Sequence, residues 1–127
     1  MKCPTPNTSP LEHNCSGKHA AFLATCKKMN WPLDSYLKGD HPLQIEIFRI
    51  VSELLEIPIS EICPERDDCG APTLYLKLLE MSRLYSILSS SDNAELEQIL
   101  RAVTTNPIMI SDNNKFDTEI ILSLIHI

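Results

Sequence analysis

The feature that most constrains the fold is an apolar stripe with helical spacing between Leu43 and Leu55. Its apolar residues recur every three or four positions, which places them on one face of an α-helix. Asp40 precedes the stripe as a candidate N-cap, and Pro42 follows in the first turn, where proline is tolerated. The pattern therefore predicts a helix that begins after Asp40, ends near Leu55 and buries one face.

Three further segments are predicted to be helical, so the visible part of the chain is predicted to be mainly α. Ser16 is a candidate cap for a helix that ends at Met29. Apolar residues at helical spacing predict another helix over Leu74–Leu88. Asp92 and Glu95 have the spacing of a capping box and predict a fourth helix.

The segments between these helices are predicted as loops or short extended pieces. Residues 57–62 are rich in β-branched side chains, which favours either a strand or an extended connection. Residues 63–72 are polar and contain two prolines, so they are predicted as a loop, and residues 1–14 as an extended lead-in. Residues 108–127 contain a polar turn and an apolar run. Because a domain seldom stops inside an apolar run, we expect a truncation or an unrelated end there.

Size and charge restrict the class of protein. The chain has 127 residues, enough for one domain or a piece of a larger one, and a net charge of −6. Its basic residues are dispersed, which argues against nucleic acid as a partner. No apolar run reaches the roughly 18 to 20 residues that span a bilayer, and the first residues lack an apolar signal core. Five cysteines without close pairs suit a reducing compartment, so a soluble, cytoplasmic protein is predicted.

The densest group of reactive side chains is Asn-Cys-Ser-Gly-Lys-His at positions 14–19. Cys15 lies at a predicted helix N-terminus, which lowers a thiol pKa, and Lys18 shares its face one turn later. A buried structural cysteine beside a solvated lysine is the alternative interpretation. Cys63 and Cys69 enclose five residues, a poor match to the usual zinc spacing.

A second short pattern, Ser35-x-x-Lys38, has the spacing of a serine nucleophile activated by an amine. It lies in a predicted loop, and patterns with two fixed positions recur by chance. We therefore assign it no catalytic role.

Three motifs together resemble the asparaginase II family, the Rhizobium etli-type L-asparaginases. They are Asn-Cys-Ser-Gly-Lys-His at 14–19, Asp-His-Pro-Leu-Gln at 40–44 and Asp-Cys-Gly-Ala-Pro-Thr at 68–73. Their order and spacing match the family pattern, and the resemblance covers about residues 10–120.

The resemblance implies a fold, a reaction and a metal. The fold would be a fragment of an α/β fold similar to serine β-lactamases and glutaminases. The reaction would be hydrolysis of L-asparagine to L-aspartate and ammonia by Ser–Lys pairs, without an organic cofactor. Zinc would be held by Cys15, Lys18 and Cys69, with Asp67 in a second layer behind these ligands and His19 facing the substrate. A lysine binds zinc only as the neutral amine, so the metal must lower its pKa. A homodimer is one expectation for the full-length protein.

The chain also departs from the family pattern. The segments that carry the catalytic serines and lysines have no counterpart in its sequence, so we predict an internal fragment that is inactive alone. Asp68 replaces a family glycine and would strain a backbone that needs positive φ. We predict a partial asparaginase II domain over residues 1–122 and an unrelated end over 123–127. A stand-alone helical metal- or thiol-binding module and a helical interaction protein are the alternative functions.

Overall fold

The computed structural model describes residues 9–90 and 92–125, and most of them are helical. The prediction of a mainly α chain is confirmed, while the wider α/β fold stays a prediction. Cys3 and the rest of the predicted lead-in at 1–8 lie outside the described residues. The helices are α1 (Ser16–Met29), α2 (Pro42–Leu55), α3 (Leu78–Ser90), α4 (Ala94–Thr105), α5 (Ile108–Ser111) and α6 (Phe116–Ile125), the strands are β1 (Cys63–Arg66) and β2 (Pro72–Tyr75), and 3-10 turns cover Pro10–Glu12 and Ile59–Glu61.

The chain divides into two compact units, the first ending at Leu76 and the second beginning at Lys77. The first unit contains α1, α2 and the β1–β2 hairpin. Its buried apolar residues come from both helices and from the segments around the hairpin; they are Cys26, Leu43, Leu55, Ile62 and Ala71. No helix in the described ranges is both long and apolar enough to cross a membrane.

Helix α1 confirms the predicted span but corrects its cap. Cys15, rather than Ser16, is the N-cap residue, and Ser16 is the first helical residue. The Ser16 hydroxyl instead donates to the carbonyl of Leu11 at 3.0 Å, which fixes the chain that enters the helix. Asn30 ends the helix in the left-handed conformation, with φ of 56°.

Helix α2 also confirms its predicted span, and its cap is His41 instead of Asp40. The Leu43 N–H donates to His41 Nδ1 at 3.1 Å, so an imidazole nitrogen caps the helix in place of the predicted carboxylate. Leu43, Gln44 and Leu55 are buried on this helix.

The segment predicted as a polar loop is a β-hairpin. Strands β1 and β2 pair antiparallel, from Cys63 opposite Tyr75 to Arg66 opposite Pro72. The predicted helix start at Leu74 is therefore wrong, because Leu74 lies in β2 and α3 begins only at Leu78. Proline at both strands is compatible with a two-stranded sheet, where half of the backbone N–H groups need no ladder partner. The residues predicted as a strand or extended connection at 57–62 contain a 3-10 turn instead.

The turn of this hairpin shows whether Asp68 lies at a position that requires positive φ. Gly70 adopts positive φ, at 81°, whereas Asp68 does not. The strain expected at Asp68 is therefore absent, and Gly70 is the position where a side chain would be strained.

The second unit contains α3 to α6. Asn93 caps α4 in place of Asp92, since its side-chain oxygen accepts from the Glu95 N–H at 2.9 Å and the Leu96 N–H at 3.0 Å. Helix α6 packs against α4 and α5. Thr118 on α6 is almost completely buried.

Candidate metal centre

The first turn of α1 and the turn of the hairpin bring together Cys15, Asp67 and Cys69. One ligand atom from each lies within 4.8 Å of the others, and all three residues are half-buried. The Cys15 Sγ and Asp67 Oδ2 atoms are 4.0 Å apart, although the residues are 52 positions apart in sequence. The fold thus assembles the two cysteines that the motifs singled out.

Two local hydrogen bonds of its backbone, one of them to a side chain, fix Cys15 on its side of this cluster. Its N–H donates to His13 Nδ1 at 3.1 Å, and its carbonyl accepts from the His19 N–H at 3.1 Å. Cys15 is therefore held on both sides by the start of α1.

The hairpin turn fixes Asp67 in a similar way. The Asp67 N–H donates to the Ala71 carbonyl at 3.0 Å, and the Gly70 N–H donates to the Asp67 carbonyl at 2.8 Å. Asp67 Oδ1 accepts from the Asp68 N–H at 2.8 Å, which leaves Oδ2 to face the cluster. The two oxygens of this carboxylate thus have separate partners.

Lys18 joins the cluster through Asp67. Its Nζ donates to Asp67 Oδ2 in an ion pair, and it also interacts with the Cys69 thiol. The Asp67 carboxylate raises the pKa of Lys18, and the same hydrogen bond holds the pKa of Asp67 below its ordinary value. Lys18 is therefore a charged ammonium in the chain by itself.

The two thiols differ in acidity. The Ala71 N–H donates to the sulfur of Cys69 and lowers the pKa of that thiol. Burial, followed by the neighbouring Cys69, raises the pKa of Cys15. The pKa of Cys15 is therefore raised by the loss of hydration and the adjacent sulfur, in the direction opposite to the effect expected from the helix N-terminus.

His19 lies next to Lys18 and makes a contact that sequence reasoning missed. Its Nδ1 is 2.8 Å from the Tyr36 hydroxyl, and its ring meets Tyr36 and Phe22 edge to face. No spacing signal links His19 to a loop residue 17 positions away. The substrate-facing role of His19 stays a prediction.

Two other observations concern Asp67 and the cysteines outside the cluster. Asp67, predicted behind the ligands, has a carboxylate oxygen among the candidate ligand atoms themselves. Cys26 is completely buried and Cys63 is exposed, and neither is in the cluster of the described residues.

Comparison with known families decides the affiliation of the chain. The model of the L-asparaginase II family matches residues 3–125. The chain belongs to this family. The resemblance drawn from the three motifs is confirmed, while the Rhizobium etli-type subdivision stays a prediction. No individual curated protein matches the chain significantly.

The extent of the match also bears on the domain description. The family match reaches residue 125 and so overlaps the last segment, residues 123–127. The predicted boundary after residue 122 stays a prediction. Membership in the asparaginase II family supports amidohydrolase chemistry on a small-molecule substrate.

Proposed function

We propose that this chain supplies the metal- and substrate-binding part of an L-asparaginase, which hydrolyses L-asparagine to L-aspartate and ammonia. The observation that carries the proposal is the clustering of Cys15, Lys18, Asp67 and Cys69 in a chain of the asparaginase II family. Four free thiols at Cys15, Cys26, Cys63 and Cys69 support a cytoplasmic location.

We further propose that the cluster binds zinc through Cys15, Lys18 and Cys69. The donor set fits the ion, because zinc binds thiolates and nitrogen donors, and the ligand atoms of Cys15, Asp67 and Cys69, with Lys18 paired to Asp67, lie close enough to surround one ion. When bound with a fourth position open, zinc acts as a Lewis acid that polarises or holds a substrate oxygen.

The protein residues must change protonation for this to occur. On zinc binding, the thiol of Cys15 would release to solvent a proton that burial now holds, the thiol of Cys69 would release its own, and Lys18 would release a proton that Asp67 now stabilises. Asp67 would then accept a hydrogen bond from the neutral amine and orient its lone pair. A carboxylate oxygen of Asp67 is also close enough to the two sulfurs to compete with Lys18 as the third ligand.

We propose that the chain alone does not turn over L-asparagine. Amide hydrolysis by the family route needs an activated serine, and loss of a nucleophile costs several orders of magnitude even when the rest of a site persists. Ser35 is in the loop between α1 and α2, where the Lys38 N–H donates to the Ser35 carbonyl at 2.9 Å. This geometry belongs to a turn and differs from the helical turn of a Ser-x-x-Lys catalytic pair.

One experiment separates the proposal from the two alternatives. Calorimetry with zinc, followed by calorimetry of the zinc-loaded chain with L-asparagine, should show both binding steps. A metal- or thiol-binding module binds zinc but not L-asparagine, and an interaction protein binds neither.

The same samples test inactivity. Ammonia release from L-asparagine should stay at the background rate for wild type, Ser35→Ala and the control Ser60→Ala. Turnover near an ordinary enzymatic rate of about 10 s⁻¹ that disappears only in Ser35→Ala would contradict both the fragment proposal and the assignment of no role to Ser35.

A further inference from the structure

The loop between α1 and α2 is tied down by two buried side chains from the start of α2. His41 and Gln44 are only 4% and 1% exposed. The His41 Nδ1 accepts from the Leu43 N–H, so Nε2 carries the proton and donates to the Pro32 carbonyl at 3.0 Å. The Gln44 Nε2 donates to the Tyr36 carbonyl at 2.7 Å. The Asp-His-Pro-Leu-Gln motif thereby fixes the loop backbone at two points.

Tyr36, the loop residue whose carbonyl is bound by Gln44, also contacts α1. The Tyr36 hydroxyl is 2.8 Å from His19 Nδ1, and the Tyr36 ring meets His19 and Phe22 edge to face at centroid distances of 5.8 and 6.4 Å. A ring held by backbone anchoring, two aromatic contacts and one hydrogen bond has little rotational freedom. The His19 imidazole it contacts is therefore held as well.

We propose that Tyr36 is a positioning residue that holds His19 for contact with the substrate, one helical turn from Cys15 of the metal cluster. In either tautomer the Tyr36 hydroxyl occupies Nδ1, and within residues 9–90 and 92–125 nothing hydrogen-bonds to Nε2. Nε2 is then the nitrogen available to a polar oxygen or amide group of an amino-acid substrate. The step to a substrate rests on the proposed function, whereas the hold of Tyr36 on His19 does not.

Tyr36→Phe tests this inference because it removes the hydroxyl and keeps the ring. The matched control is Tyr85→Phe, which alters an exposed tyrosine in the second unit. Nitrogen-15 spectra of the four histidines report the state of each ring nitrogen, and His19→Gln assigns the His19 signals. Zinc binding is measured on the metal-free proteins, and L-asparagine binding is measured on the same proteins after they are loaded with zinc.

We expect Tyr36→Phe to move the His19 Nδ1 resonance and to weaken L-asparagine binding about two- to tenfold, the usual range for one neutral hydrogen bond. Zinc affinity should not change, and Tyr85→Phe should match wild type in every measurement. The inference is overturned if the His19 resonance does not move in Tyr36→Phe. It is also overturned if wild type binds L-asparagine and Tyr36→Phe binds it with the same affinity. A moved resonance in a chain that never binds L-asparagine supports the hold on His19 and overturns the proposed function instead.

Discussion

The amine of Lys18 is paired with the carboxylate of Asp67 across 49 positions, and the pair joins the first turn of α1 to the turn of the hairpin. Its side chains are 33% and 39% exposed, so solvent screens the attraction and its contribution to folding is small. Its larger effect is on protonation, because a paired ammonium cannot be a zinc ligand. At the proposed site, zinc ligation by Lys18 therefore has to displace a proton that this pair stabilises.

The first prediction distinguishes Lys18 from Asp67 as the third ligand. Lys18→Arg should lower zinc affinity by at least about tenfold, since a guanidinium stays charged and cannot ligate. Asp67→Asn should have a smaller effect, because it removes only the partner that orients the amine. Zinc affinity is measured by competition with a chromophoric chelator, with Lys38→Arg in the exposed loop as the matched control. A larger loss in Asp67→Asn than in Lys18→Arg would identify the carboxylate as the ligand.

The second prediction concerns the two cysteines. Cys69→Ser should abolish tight zinc binding, because it removes the thiol most readily ionised in the cluster. Cys63→Ser is the matched control on the same hairpin, where the thiol is exposed and outside the cluster. Equal zinc affinities for these two variants would show that the hairpin cysteine in the turn is not a ligand.

The third prediction gives the pH dependence of zinc binding. Cys15 and Lys18 both have pKa values above their ordinary ones, so each retains its proton to higher pH than in a free side chain. Zinc must displace these protons, and its affinity should therefore rise with pH and continue to rise above the ordinary thiol pKa of about 8.5. Chelator competition from pH 6 to 9.5 measures this. An affinity that levels off below pH 7 would mean that neither group is a ligand.

Helix spans were predictable from sequence where an apolar stripe decides them, and the caps were not. Helix α2 has the predicted span because its stripe from Leu43 to Leu55 fits only one helical register. Its cap shifted from Asp40 to His41, and that of α4 from Asp92 to Asn93. Either of two adjacent residues can cap the start of a helix, and tertiary contacts determine which one does. The hydrogen bond from His41 to the Pro32 carbonyl is such a contact.

The hairpin and the contacts within the site could not be predicted from the sequence and became visible only in the folded structure. Four-residue strands that contain Pro64 and Pro72 carry no alternation for a sequence pattern to detect. The motifs identified Cys15, Lys18 and Cys69, because the family resemblance relates distant positions directly. The bond from Tyr36 to His19 depends on the path of one loop, which no local propensity encodes.

The fourth prediction tests the core of the first unit. Leu55 on α2 is completely buried, so Leu55→Ala should lower the free energy of unfolding by about 2–5 kcal/mol. Ile45→Ala on the same helix is the matched control, since Ile45 is 55% exposed and loses little buried area. Urea titration followed by the fluorescence of the single tryptophan, Trp31, reports this unit. Equal midpoints for the two variants would contradict the assignment of Leu55 to the core.

The fifth prediction tests the second unit through the buried hydroxyl of Thr118. This Oγ1 lies 2.7 Å from the Asp112 carbonyl, 3.2 Å from the Pro107 carbonyl and 3.1 Å from the Ser111 hydroxyl, so it ties α6 to the chain around α5. Thr118→Val keeps the volume and removes every one of these bonds.

Because Thr118 is buried and the Pro107 carbonyl left behind by Thr118→Val belongs to a buried residue, the substitution should lower the free energy of unfolding by about 1–3 kcal/mol. Thr105→Val is the matched control: its hydroxyl donates to the Arg101 carbonyl at 2.7 Å on an exposed face of α4, where water replaces the lost bond. Its effect should stay within about 0.5 kcal/mol. Urea titration followed by circular dichroism at 222 nm compares the two variants. A Thr118→Val chain as stable as Thr105→Val would show that the bonds of Thr118 do not hold α6 in place.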